Sequence, residues 1–231
     1  MMRIVLVLAA ICLAAPVYAQ TNRISHCIAI AELNPAMKFV HRASFRAPLD
    51  QYVVRLSYID HSMFLIQSAA GPSVVTDYAG GLGATDFVPD VVTMNHAHSS
   101  HWTPFVADGV DHVLPGWGRN FGEGVEHYLE IGDMLIRNVS TDIRSGGGVE
   151  PKGNSIFVFE VDGLCIGHLG HLHHEPDEAQ YAALGRLDVV MTAVDGGLTL
   201  DTDSIVRVAK RLRSSVVIPM HWFGRSTLDQ F

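Results

Sequence analysis

From residue 52 onward, short β-branched runs are bounded by Gly, Pro, Asp and Asn, which predicts strands over 53–57, 63–67, 73–76 and 91–94. A second set is predicted over 110–114, 134–139, 155–161 and 164–168. The pattern then changes. Residues 176–184 open with Pro and acids and end at Gly185, a helix signature. Residues 189–194 read as a strand, 201–213 as an amphipathic helix and 216–220 as a final strand. Asp201 or Thr202 is the expected N-cap of that helix, and Lys210, Arg211 and Arg213 sit in its last turn. Strands first, then strand and helix alternating, predict an α+β chain of two sheets with helices outside rather than one doubly wound sheet.

The beginning of the chain follows another pattern. Arg3 gives a positive start, residues 4–15 form a short apolar core, and Val17-Tyr18-Ala19 resembles a cleavage site. Residues 1–19 therefore read as a secretory signal peptide, which places the mature protein in a secreted or periplasmic compartment. Cys12 does not mark a lipoprotein, because Ile11 precedes it where a small residue belongs. Residues 20–50 are expected to form an N-terminal arm and 51–231 the single main domain. No later run approaches the roughly 18 apolar residues of a membrane span, and no repeat or charge run occurs.

Composition narrows the partners. The 231 residues are 48% hydrophobic and 17% charged, with 21 Gly and 10 Pro, an ordinary globular balance. The net charge of −8 becomes −9 once Arg3 is removed, which argues against nucleic acid, since phosphate binding needs a basic surface. A small-molecule substrate is the expected partner. Cys27 and Cys165 could pair after export. Gly163-Leu164-Cys165-Ile166-Gly167 nevertheless reads as a buried strand, so both read as small core residues. Neither lies in a CxxC.

Histidine is the unusual residue, with 13 copies. The strand at 91–94 runs into Asn95-His96-Ala97-His98-Ser99-Ser100-His101, three imidazoles on a loop at a strand end. Zinc takes three or four N, O or S ligands in a compact tetrahedron, and HxHxxH meets that need. A second cluster, Gly167-His168-Leu169-Gly170-His171-Leu172-His173-His174, also follows a strand. His168 falls inside the strand and reads as a satisfied core residue, His173 as solvated, and His171 and His174 as able to reach a ligand. His221 follows the last strand, so three separate strand ends terminate in His.

These motifs resemble the metallo-β-lactamase superfamily over residues 53–221. Tyr58-Ile59-Asp60-His61-Ser62-Met63-Phe64-Leu65-Ile66 is similar to its opening strand pair, and Thr76-Asp77 to the Asp that ends its next strand. His96, His98 and His101 align with the HxHxDH ligands, 169–174 with the later acidic motif, and His221 with the last ligand. The resemblance implies a four-layer αββα sandwich with a metal site at one edge between the sheets. The implied metal ligands are His96, His98, His101, His171 and His221, with Asp77, His61 and Ser100 behind them.

The departures change the expected chemistry. The family's fifth-position Asp is Ser100 here, and the Asp that bridges two metals is His171. A carboxylate bridges two cations readily, whereas a neutral imidazole offers one lone pair, so one zinc is expected rather than two. The family's middle His is missing from the loop expected after 134–139, where Asp142 is the nearest candidate. Two sets suggest themselves: His96, His98 and Asp142, or His101, His171 and His221. Ser100 cannot serve as a base near pH 7, which leaves His174, Asp142 or Asp195 to take the proton, with Asp142 and His174 as the catalytic candidates.

The function these readings predict is an exported metal-dependent hydrolase whose metal activates water against an ester, lactone, amide or phosphodiester. Two alternatives stand beside it. One is a non-catalytic periplasmic metal-binding or scaffold protein. The other is a mononuclear iron oxygenase, which needs a two-His-one-carboxylate set such as His96, His98 and Asp142. Gly146-Gly147-Gly148 reads as a rim loop, and Trp102, Trp117, Trp222 and Phe223 as a pocket lining or as anchors.

Overall fold

The computed structural model describes residues 45–96, 98–145 and 147–231. The expected signal peptide, Cys27 and most of the expected arm lie outside these. Strands β1 (Arg55–Asp60), β2 (Met63–Gln67), β3 (Ser73–Val75), β4 (Val91–Met94) and β5 (His112–Pro115) form one sheet in that order. Strands β6 (Tyr128–Ile131), β7 (Met134–Ser145), β8 (Gly148–Val161), β9 (Leu164–His168), β10 (Val189–Ala193) and β11 (Val216–Met220) form the second, ordered β11-β10-β9-β8-β7-β6. Three helices follow in the second half: α1 (Glu178–Leu184), α2 (Thr202–Leu212) and α3 (Arg225–Gln230). This is the expected two-sheet α+β sandwich.

Period-2 alternation builds the layers. Phe64, Ile66, Val74 and Val91 of one sheet meet Phe157, Phe159, Ile166 and Met191 of the other between the sheets. The alternate positions Ile156, Val158 and Val190 point outward and pack on Leu184, Ile205 and Val208 of α1 and α2. On the far side, Met63, Leu65, Val75 and Val92 are covered, among the described residues, by Phe45, Tyr78, Leu82, Phe87 and Trp102 from loops. Both longer helices are capped, α2 by Asp201, one of its two expected N-caps. Asp177 and Gln180 form a capping box on α1, and Asp201 accepts from the Ser204 N–H on α2 at 3.0 Å.

Strand direction decides where the site lies. β3, β4 and β5 are parallel, and so are β9, β10 and β11. β1 and β7 each sit two antiparallel steps away and run the same way as their sheet's parallel strands. Every strand of this direction therefore delivers its carboxyl end to a common edge, where ligand-binding loops gather.

Three sequence expectations need correction. Residues 140–144 form no loop, because β7 continues through them and pairs with β8 as far as Ser145↔Gly148. Their polar side chains mislead because this end of the ribbon is partly solvated. Gly147 is consequently in a hairpin turn. Strand β6, half exposed at the sheet edge, and helix α3 lack a strong apolar pattern and escaped the sequence reading. Cys165 is half-buried rather than enclosed. No described helix is long and apolar enough to cross a membrane.

Candidate metal centre

The common edge collects a cluster of histidines. His61 lies in the β1–β2 turn, His98 and His101 on the loop after β4, His171 after β9 and His221 directly after β11. One nitrogen each from His61, His98, His101 and His221 lies within 4.8 Å of the others. His101 and His221 approach through Nε2 atoms 3.1 Å apart, with their rings stacked at 5.0 Å. His98 Nε2 is 3.2 Å from His171 Nε2, and the His171 ring stands 4.8 Å from His101 and 4.9 Å from His221. His61 packs its ring 4.0 Å from that of His221, and its Nε2 is buried with no hydrogen-bond partner.

An outer shell holds the imidazoles by their other nitrogen. His101 Nδ1 is 2.7 Å from Asp77 Oδ2, and His221 Nδ1 is 3.0 Å from Asp195 Oδ2, all four side chains being fully buried. His98 Nδ1 is 2.8 Å from Ser100 Oγ, and His171 Nδ1 is 2.7 Å from His173 Nε2. The two carboxylates are fixed in turn. Asp77 accepts from Asn95 Nδ2 at 2.6 Å, and Asp195 from the backbone of Gly197, Leu198 and Thr199 and from the Thr199 hydroxyl. Asn95 also joins the two sheets, since its Oδ1 accepts from the Ser155 N–H of β8 at 2.9 Å.

Backbone conformation and close approach shape the same edge. His61, Asp77 and His221 all have positive φ, of 47°, 46° and 55°. Such geometry costs a non-glycine residue on the order of 1–3 kcal/mol and is found where the surroundings over-determine it. Gly170, with φ of +60°, lies where a Cβ would come within 2.6 Å of Asn95 Nδ2 and 2.7 Å of Asn154 Oδ1. His168 is structural as expected: its Nε2–H donates to the Ser62 carbonyl at 2.8 Å and its Nδ1 accepts from the Gly170 N–H.

Electrostatics favours the neutral form of His61, His98, His171 and His173 and the charged form of Asp77 and Asp195. Burial, and then the neighbouring imidazoles His221, His101 and His98, lower His61 to about 4. Burial followed by His101 and His221 lowers His98 to about 4 and His171 to about 2. Burial and then Arg144 lower His173 to about 4. Burial by itself raises the Asp77 and Asp195 carboxyls, but it is outweighed. His168 and His101 and the bonds from His101 and Asn95 hold Asp77 below the usual carboxylate range; bonds from His221, Thr199 and Gly197 do so for Asp195.

This donor set fits a metal ion on its own chemistry. Asp77 takes the His101 Nδ1 proton as its hydrogen bond, and the Asp195 carboxylate 3.0 Å from His221 Nδ1 favours the proton on that nitrogen, so Nε2 of each ring is left with a lone pair. Two lone pairs 3.1 Å apart repel unless a cation lies between them. Zinc–nitrogen bonds of about 2.0–2.1 Å in a tetrahedron set neighbouring nitrogens roughly 3.3 Å apart, close to the spacing here. The buried, unpartnered His61 Nε2 supplies a further donor.

The grouping read from the sequence is redrawn. His98 joins His101 and His221 instead of a set with His96 and Asp142. His96 stacks on Trp117 at 4.7 Å, with its Nδ1 3.6 Å from Glu150 Oε2. Asp142 is exposed and accepts from the Lys152 N–H. The two-His-one-carboxylate arrangement is therefore not assembled. His174 is half-buried, its Nε2 enclosed without a partner, and it stands outside the four-histidine group. Ser100 and Asp77 lie behind imidazoles, whereas His61, placed behind them by the resemblance, stands among them. His173 is not solvated but buried, bonded to His171 and to the Arg144 N–H. Asp195, read only as a proton acceptor, is the partner of His221. Its sequence signal was its place: it follows β10 much as His221 follows the neighbouring β11.

Comparison with known proteins agrees with this architecture. Residues 55–221 match the model of a β-lactamase superfamily domain. A UPF0173 metal-dependent hydrolase of Thermoplasma volcanium is 24% identical over 196 residues, spanning 73% of this chain and 83% of its own. One from Methanoregula boonei is 25% identical over 162 residues, spanning 62% and 70%. Among solved structures, a Thermotoga maritima protein assigned as a Zn-dependent hydrolase of the metallo-β-lactamase superfamily superposes with a TM-score of 0.55 at 23% identity, covering 78% of this chain and 81% of its own. A metallo hydrolase from Ignicoccus hospitalis gives 0.53 at 20% identity, with 73% and 82% covered. The chain thus belongs to the metallo-β-lactamase superfamily.

Proposed function

We propose that the protein is an exported hydrolase dependent on one divalent metal ion, acting on an uncharged ester or lactone with an apolar group. The observation that carries this reading is the facing pair His101 and His221, each backed by a buried carboxylate. Two buried anionic carboxylates behind this imidazole pair favour a cation and hold the rings oriented without it. The names of the relatives at 24% and 25% identity, metal-dependent hydrolases, support the same reaction type.

His61, His98, His101 and His221 are the residues that would hold the ion. A bound divalent cation supplies Lewis acidity, polarising a carbonyl and making water more acidic. The chain's own residues do the rest. Asp77 binds the Nδ1 proton of His101, and the Asp195 charge beside His221 Nδ1 favours a proton there, which keeps both Nε2 atoms available. The rim favours apolar over charged substrate. Phe223 is 65% exposed with its ring 5.3 Å from His221, and Leu198 and Trp222 are also exposed. The Arg144 guanidinium, by contrast, is turned to the Thr199 carbonyl.

The test is metal analysis of protein recovered from the exporting host, combined with a panel of p-nitrophenyl acyl esters and lactones. About one zinc per chain, hydrolysis abolished by chelator and restored by zinc, and a mature start near Gln20 are expected. Iron in place of zinc would move the reaction to oxygen chemistry. A folded protein that takes up no metal would leave a scaffold.

A further inference from the structure

His171 stands where the resemblance expects a carboxylate, and its hydrogen bonds run in a single direction. The sequence of bonds begins with a group of invariable polarity. The backbone N–H of Arg144 donates to His173 Nδ1 at 2.5 Å. A neutral imidazole has one N–H and one lone pair, so His173 carries its proton on Nε2. That nitrogen is 2.7 Å from His171 Nδ1, which must accept. His171 then carries its own proton on Nε2, the atom 3.2 Å from His98 Nε2. His98 accepts there and donates from Nδ1 to Ser100 Oγ at 2.8 Å. His101 and His221 are set the opposite way, because carboxylates occupy their Nδ1 sides.

We propose that His171 serves the centre as an N–H donor rather than as a metal ligand, its proton fixed on Nε2 by the Arg144 amide through His173. Ligation through Nε2 would require that proton on Nδ1. It would then face the His173 Nε2–H across 2.7 Å, or push the His173 proton onto Nδ1 against the Arg144 N–H. Either outcome opposes two donors inside a buried site, where an unsatisfied polar group costs most. The donor role also suits the position. Where His98 turns its lone pair to the cation, the His171 N–H is left to bind an oxygen of the substrate and stabilise charge developing on it. Arg144 and His173 are positioning residues for that hydrogen bond. The inference rests on the metal-centre reading above and adds a substrate-binding group to it.

The experiment compares His171→Gln, His171→Ala and His101→Ala for zinc affinity by chelator competition and for turnover of a p-nitrophenyl acyl ester. In parallel, long-range proton–nitrogen NMR of the wild-type protein locates the His171 proton. Expected are zinc affinities within about threefold of wild type for both His171 variants, loss of zinc in His101→Ala, and a proton on His171 Nε2. The kcat should fall at least tenfold in His171→Ala and recover in part in His171→Gln, whose amide also donates. Loss of zinc in His171→Gln to the level of His101→Ala, or a proton on His171 Nδ1, overturns the proposal. Zinc retained by His101→Ala overturns the metal centre itself, and the nitrogen shifts still decide the His171 proton.

Discussion

His101 and His221 face each other through Nε2 atoms 3.1 Å apart, and each turns its Nδ1 to a fully buried carboxylate, Asp77 or Asp195. The pair comes from opposite sheets, so the arrangement is symmetric in chemistry though not in sequence. Each carboxylate fixes a tautomer and strengthens the imidazole as a ligand. Asp77→Asn and Asp195→Asn should each lower zinc affinity about 10–100-fold, the usual cost of losing such a partner. Competition with a chromophoric chelator reads this directly, and an unchanged affinity in both variants contradicts the assignment.

His96 and His221 should behave in opposite ways. His96 stacks on Trp117 outside the four-histidine group, so His96→Phe should keep its metal, whereas His221→Ala should lose it. Elemental analysis of both purified variants is sufficient. Loss of metal in His96→Phe would return that residue to the ligand set.

Metal removal should lower thermal stability. A ligand that binds only the folded state stabilises it by about 4 kcal/mol at 1,000 times its Kd. For a domain of this size that corresponds to a Tm change on the order of 10 °C. Thermal melts with excess zinc and with chelator test it, and coincident melts would argue against a tight site.

The metal-free protein should weaken as pH falls from about 6.5 to about 4. His61, His98 and His173 are lowered to about 4 in the folded chain and His171 to about 2, against about 6.5 unfolded. Below 6.5 the unfolded state therefore binds more protons, and stability declines with pH. Asp77 and Asp195, also lowered, add their loss only below the usual carboxylate range. Urea midpoints in chelator at pH 8, 6 and 5 should fall in that order, and a rise on acidification would refute the account.

Gly170→Ala should destabilise the protein by about 1–3 kcal/mol. The substitution adds a methyl against Asn95 and Asn154 at a positive φ. Because Asn95 supports Asp77 and Asn154 accepts from the His171 backbone N–H, zinc affinity should fall as well. Denaturation and zinc competition on one preparation separate the two effects. A variant as stable as wild type would show that the edge can relax.

What the sequence determined by itself was whatever depends on local period and on residue type at strand ends. β-branched runs placed most of the strands, Pro, Asp and Gly bounded the helices, and histidines after β4, β9 and β11 marked the edge where a cation belongs. Those features are local, because a strand's ends follow from its own pattern. The tertiary structure alone decided which histidines meet. His98 and His96 are two residues apart and equivalent in the motif, yet one joins the centre and the other stacks on a tryptophan delivered by the segment after β5. His61 enters from a turn some 40 residues earlier in the chain than His101. The tautomers were equally hidden, since the direction of a hydrogen bond at His171 follows from a backbone amide on β7 that only sheet pairing brings to it.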